Sequence, residues 1–194
     1  MKPQFAIYPI ALLIVGSGTA QASQPIFPAE VADSVWWTDL AEEEPPLWRP
    51  VDRVNHRSRV RLSISGISTL RVIIRIDEDL RGRFRGRALL IKRRGGRSTD
   101  VTERRFTPTI EQMAHLRAKI TEAKLWTMYP EHWIGGENDI CVDGEQMVFE
   151  RADGEGYRFS EANAQCTAPA PLLEVARMMI GISGVPRGVA ELLN

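Results

Sequence analysis

The chain predicts an α+β fold: an antiparallel sheet of about five to six strands with two helices packed on one face. Three observations carry this. Consecutive segments between residues 57 and 91 alternate apolar residues with arginines. A capped segment at 109–126 repeats apolar residues at helical spacing. A second apolar-alternating pair of segments lies between the only two cysteines and runs into a strongly apolar stretch. Period-two alternation marks a strand buried on one face, and a 3.6-residue period marks a helix with one buried stripe.

The chain opens with Lys2, an apolar run from Phe5 through Val15, and the triplet Ala20-Gln21-Ala22. A charged start, a short apolar run and a small-x-small site predict a signal peptide over residues 1–22. The run is too short to span a bilayer, which takes about 20 residues. The expected mature chain is periplasmic or secreted, with no transmembrane span. An oxidising compartment pairs thiols, and Cys141 and Cys166 allow one pairing.

Residues 23–50 carry Pro25, Pro28, Pro45, Pro46 and Pro50, which exclude a long helix or a central strand. The segment is acidic and holds Trp36, Trp37 and Trp48. Its rings either clip the arm to the domain by burial or form a stacking surface for sugar or peptide. Residues 51–194 form the single α+β domain.

Within that domain, Val60, Leu62 and Ile64 alternate with Arg59, Arg61 and Ser63. Leu70, Val72, Ile74 and Ile76 alternate with Arg71, Ile73 and Arg75. Phe84, Ala88 and Leu90 oppose Arg83, Arg85 and Arg87, and a fourth strand is expected around Asp100–Phe106. Thr109 and Gln112 form a T-x-x-Q capping box; Met113, Leu116, Ile120 and Ala123 make the buried stripe, with His115 off it. In the hairpin, a loop at Ala152-Asp153-Gly154 sets Phe149 opposite Tyr157 and Met147 opposite Phe159, all on the core face. The cysteines then staple its open end. Pro171 starts the last helix and Gly181 is expected to end it; Arg187–Leu193 forms one more turn.

The charge is unevenly distributed. From Val51 to Arg105 there are sixteen bases against six acids; after Trp126, eleven acids against four bases. Arg59, Arg61, Arg71, Arg75, Arg83, Arg85 and Arg87 all oppose apolar positions, so strand pairing converges them on one sheet face. That face is a candidate anion-binding surface for an acidic envelope component or protein. Alternatively it is solvated, or covered by the arm that holds Glu42, Glu43 and Glu44. The tract RGRFRGR alternates as a strand does, and an exported chain seldom meets RNA, so no nucleic-acid partner is expected.

No catalytic residue, cofactor or metal is assigned. Asp139, Asp143, Gly144 and Glu150 fall on a calcium-loop spacing, but Cys141 occupies a position that needs oxygen, and a strand follows where a helix should begin. The three histidines have no zinc-ligand spacing. The expected function is a non-enzymatic binding or interaction module of the cell envelope, with a basic sheet face. The alternative is a hydrolase built from the acidic loop 131–143 beside His132.

The second half also resembles a family of small exported bacterial proteins of unknown function. Their pattern runs from a capped helix ending in an aromatic-Trp pair, through a D-G then W-x-L-E strand, to G-x-Y-H. Here it reads Leu125-Trp126, Asp143-Gly144, Met147-Val148-Phe149-Glu150 and Gly156-Tyr157-Arg158, with Met147 in place of Trp and Arg158 in place of His. The resemblance implies an antiparallel sheet with helices and an envelope location, and no activity.

Overall fold

A computed structural model describes residues 44–50, 54–66, 69–94, 97–126, 144–166 and 168–194. Strand β1 (His56–Gly66) pairs antiparallel with β2 (Leu70–Asp79), β2 with β3 (Phe84–Arg94), and β3 with β4 (Arg97–Phe106). Helix α1 (Ile110–Glu122) then returns the chain to the far side of β1, where β5 (Glu145–Asp153) adds and β6 (Gly156–Asn163) completes a hairpin. The order is β4-β3-β2-β1-β5-β6 in one antiparallel sheet. Helix α2 (Ala170–Ser183) and a 3-10 helix at Arg187–Leu193 follow.

The α+β expectation therefore holds. The even residues of β1 and β2, with Ala88 on β3 and Met147 and Phe149 on β5, meet the apolar stripes of both helices. Leu62, Ile64, Val72, Ile74, Leu116, Leu172 and Met179 are all 0% exposed. Each such side chain contributes about 1.5–3 kcal/mol on burial. The α1 capping box forms as the sequence predicts, with Gln112 N–H donating to Thr109 Oγ1 at 3.1 Å and Thr109 N–H donating to Gln112 Oε1 at 2.8 Å. His115 is exposed.

The sheet's edges are managed locally. Gly86 stands opposite Phe106, and a Cβ at Gly86 would lie 2.2 Å from that ring. The missing side chain lets the aromatic ring lie over the backbone of β3, covering a glycine that a strand otherwise leaves bare.

Two details depart from the sequence reading. Helix α2 does not stop at Gly181; it runs to Ser183 and is capped by Gly184 in the left-handed region at φ 64°. Gly181 tolerates helical geometry, and the positive φ, which only glycine takes cheaply, comes three residues later.

The second departure is larger. The β5–β6 turn is Gly154-Glu155, with Asp153 opposite Gly156, so Phe149 faces Ser160 and Met147 faces Ala162. Asp153 Oδ1 accepts from Glu155 N–H at 2.9 Å and tightens the turn. This three-residue shift in register, an odd number, moves Tyr157 and Phe159 off the core face and opposite Ala152 and Glu150. Small residues, Ser160 and Ala162, take the buried core-face positions instead. The physical reason lies on the other face, where Glu150 needs a donor and a cover.

Candidate functional site

The opposite face of the sheet is set by strand register. Arg61 pairs with Arg75, Arg75 with Arg87, and Arg87 with Arg105, so four arginines stand side by side across β1 to β4. Neighbouring strands lie about 4.8 Å apart. At an effective dielectric near 20, two unit charges at that spacing repel by about 3 kcal/mol. The row can exist only if carboxylates are interleaved with it.

They are. On β5, Glu150 stands opposite Arg61 and takes it in a two-pronged grip: Nε donates to Oε2 at 2.5 Å and Nη2 to Oε1 at 2.7 Å. Both residues are 0% exposed. The Tyr157 hydroxyl donates to Glu150 Oε1 at 2.9 Å, and the Phe159 ring stacks beside Tyr157 at 6.4 Å between centroids. The two aromatics thus cover the pair. Burial opposes the charge on Arg61, but the adjacent Glu150 more than offsets it and pushes the guanidinium pKa upward. Burial also raises the Tyr157 hydroxyl pKa, and Glu150 beside it raises it further, so that this group serves as a donor.

The second carboxylate comes from outside the sheet. Glu44, 2% exposed, accepts from Arg75 Nη1 and, at 2.7 Å, from Arg87 Nη1. Arg61 Nη1 lies 3.8 Å from the same carboxylate and donates to the Pro45 carbonyl at 2.8 Å. Leu47, two residues on, is fully buried. Glu103 on β4 closes the far end, accepting from Arg87 Nη2 at 3.1 Å and from Arg105 Nε at 2.7 Å. Those two hydrogen bonds hold the Glu103 pKa below its usual range. Asp77 accepts from Arg75 Nε at 3.2 Å and lies 3.3 Å from Arg59 Nε.

The candidate arginines therefore divide. Arg61, Arg75 and Arg87 converge on Glu44 and the segment around it, as the covered-face alternative expects. Arg59 lies over Asp77 at the row's margin, and Arg71 is 5% exposed. Arg83 turns to solvent and pairs with Asp79 at 2.7 Å, and Arg85 is exposed. Flanking the charged row, Ile73, Leu89, Ile91 and Val148 are at most 1% exposed, so this face is not a solvated one.

Three participants escaped the sequence reading: Glu150, Tyr157 and Glu103. Parity could have found Glu150, because it alternates with Phe149 and so must leave the core face. Its carboxylate is engaged by Arg61, which takes it out of the calcium-loop spacing. Among the cysteines, Cys166 is disulfide-bonded and no described cysteine is free. Cys141 lies outside the described residues, as do the acidic loop 131–143 with His132, Trp36, Trp37, Glu42 and Glu43.

His56 adds a titratable margin. Its Nε2 lies 2.9 Å from Arg59 Nη2, which makes that nitrogen the acceptor of a neutral ring. Burial lowers the His56 pKa, and the Arg59 charge lowers it further against the opposing pull of Asp77. A depressed folded pKa means a contribution to stability that is present above the unfolded value near 6.5 and lost as pH falls through the folded value. Chemical-shift titration should find His56 protonating below pH 6.5, and Arg59→Gln should move that midpoint upward. An unmoved midpoint would remove Arg59 as a cause.

No family model matches the chain, and no curated protein matches it.

Proposed function

We propose that this protein is an exported, non-enzymatic interaction module whose arginine row recognises carboxylates carried on an extended acidic segment. The observation that supports this reading most directly is the capture of Glu44 and the Pro45 carbonyl by Arg61, Arg75 and Arg87. A planar guanidinium fork binds a carboxylate directionally, and a row of three reads a carboxylate and a main-chain carbonyl together. In this reading the acidic arm occupies the row in cis, and an acidic partner segment of the envelope competes for the same guanidinium groups. Export is supported by the signal-like residues 1–22, and the resemblance to small exported bacterial proteins points to the same compartment. No helix among the described residues is long and apolar enough to cross a membrane.

The test is competition. A fluorescent oligoglutamate peptide should bind the mature chain weakly and in a salt-sensitive way. Glu44→Gln should strengthen binding about tenfold, which corresponds to about 1.4 kcal/mol. Arg87→Gln, at a partly exposed position, should weaken binding. A folded Glu44→Gln protein that binds the peptide no better than the parent would sink the reading. Mass spectrometry of the envelope fraction should find a mature chain beginning at Ser23.

A further inference from the structure

A second site lies on the helix side of the sheet, at the end where β1 begins. Strand pairing there is irregular between His56 and Ser58, and Arg57 has no opposite residue. Plain alternation would put Arg57 on the face of Arg59. The irregularity instead swings it to the helix side, where it lines a cleft of about 430 Å³ with Arg117 on α1 and Arg151 on β5. Bulges commonly re-aim a side chain in this way beside binding sites. Pockets for small ligands begin at about 300 Å³.

The cleft has a polar order from floor to mouth. At the floor, the Glu78 side chain is 6% exposed and is satisfied by Ser58 Oγ at 3.0 Å and Arg117 Nη2 at 2.6 Å, with Arg57 Nη1 at 3.5 Å. Asp153 is 10% exposed and engaged by Arg151 Nε. The arginines stand further out: Arg57 is 67% exposed, Arg117 53% and Arg151 29%. Glu78 and Asp153 use only some of the N–H groups on these three side chains. Arg117 is also fixed over the Phe84 ring, 5.3 Å from its centroid. A ligand arriving from solvent thus meets pre-positioned guanidinium groups before it meets a carboxylate. Three arginines against Glu78 and Asp153 leave the cleft lining net positive; Glu155, outside the lining and 68% exposed, stands 3.4 Å from Arg151 Nη2.

The remaining wall is apolar. Val60, Ile120 and Trp126 line the cleft, and a recess of about 30 Å³ continues beneath it between Phe84, Met113 and Leu116. A cationic mouth beside an apolar wall selects an amphipathic anion.

We infer that this cleft binds a small organic oxyanion, a carboxylate or phosphate ester on an aromatic or aliphatic body, with its head group on Arg57, Arg117 and Arg151 and its body against Trp126 and Ile120. The inference is independent of the arginine row, which lies on the other face of the sheet.

The test uses the full mature chain and four probes: indole-3-acetate, phenyl phosphate, neutral indole-3-acetamide and inorganic phosphate. Calorimetry and amide chemical-shift mapping are the readouts. Indole-3-acetate or phenyl phosphate should bind at submillimolar concentration, shift residues 57–60, 117–121 and 151–153, and so assign the head group. Indole-3-acetamide and inorganic phosphate should bind at least tenfold more weakly. Arg57→Gln and the exposed rim variant Thr121→Glu should each weaken binding at least tenfold, while Arg85→Gln on the opposite face should leave it unchanged. The inference is overturned if neither organic anion binds, if the amide or inorganic phosphate binds as well as they do, or if a folded Arg57→Gln protein keeps full affinity.

Discussion

Replacing Arg61 with methionine should lower stability by about 3–5 kcal/mol, the usual cost of removing one partner from a buried ion pair. For a chain of this length that corresponds to a fall in Tm on the order of 10 °C. The large effect comes less from the lost attraction than from what remains. Glu150 would stay fully buried with one hydroxyl donor, Tyr157, and the Pro45 carbonyl would lose its partner. The double variant Arg61→Met with Glu150→Met should recover much of the loss, because an apolar pair of similar volume avoids the desolvation penalty of both ions. Arg61→Lys should not rescue, since a single ammonium cannot span both Glu150 oxygens and the Pro45 carbonyl. Urea unfolding of the four proteins gives the comparison. A single variant within about 1 kcal/mol of the parent would mean that the row is not closed to water at Arg61.

The second large effect is expected from the disulfide. Cys166→Ser should cost about 3–4 kcal/mol on the loop-entropy account of a bridge to Cys141. Cys166 is already bonded, in the turn that follows β6. Its backbone neighbourhood is tied to the hairpin, with Ala164 N–H donating to the Glu145 carbonyl at 2.8 Å. Thiol titration of the unfolded, unreduced chain should find no free sulfhydryl, and reduction should release both. Finding two free thiols in protein taken from its native compartment would remove the bridge and count against the proposed export.

Much of the architecture could be read from residue order. Alternation in β1, β2 and β3, the Thr109–Gln112 box and the stripe Met113–Leu116–Ile120 are local patterns, and each reports which side of an element must leave water. The convergence of arginines on one face followed from the same parity. What parity does not supply is the neighbour across the gap. The β5–β6 register depended on a competition between two ways of pairing the aromatics. The demand of buried Glu150 for Tyr157 outweighed the gain from placing Tyr157 and Phe159 in the core. That demand is visible only once Arg61 is known to lie opposite Glu150.

The same holds for both sites. Arg57 reads as one more member of the alternating row until the irregular pairing at Ser58 turns it to the helix side. Glu44 reads as one of three acids in an arm until it is found between Arg75 and Arg87. Periodicity is a property of one segment and its two sides, so the order of residues alone was enough for strands, helices and the charged face. Counter-charges and clefts arise from segments distant in the chain, such as Glu44 with Arg87 and Arg57 with Arg117. Their energies depend on separations and burial that exist only after the chain has closed on itself.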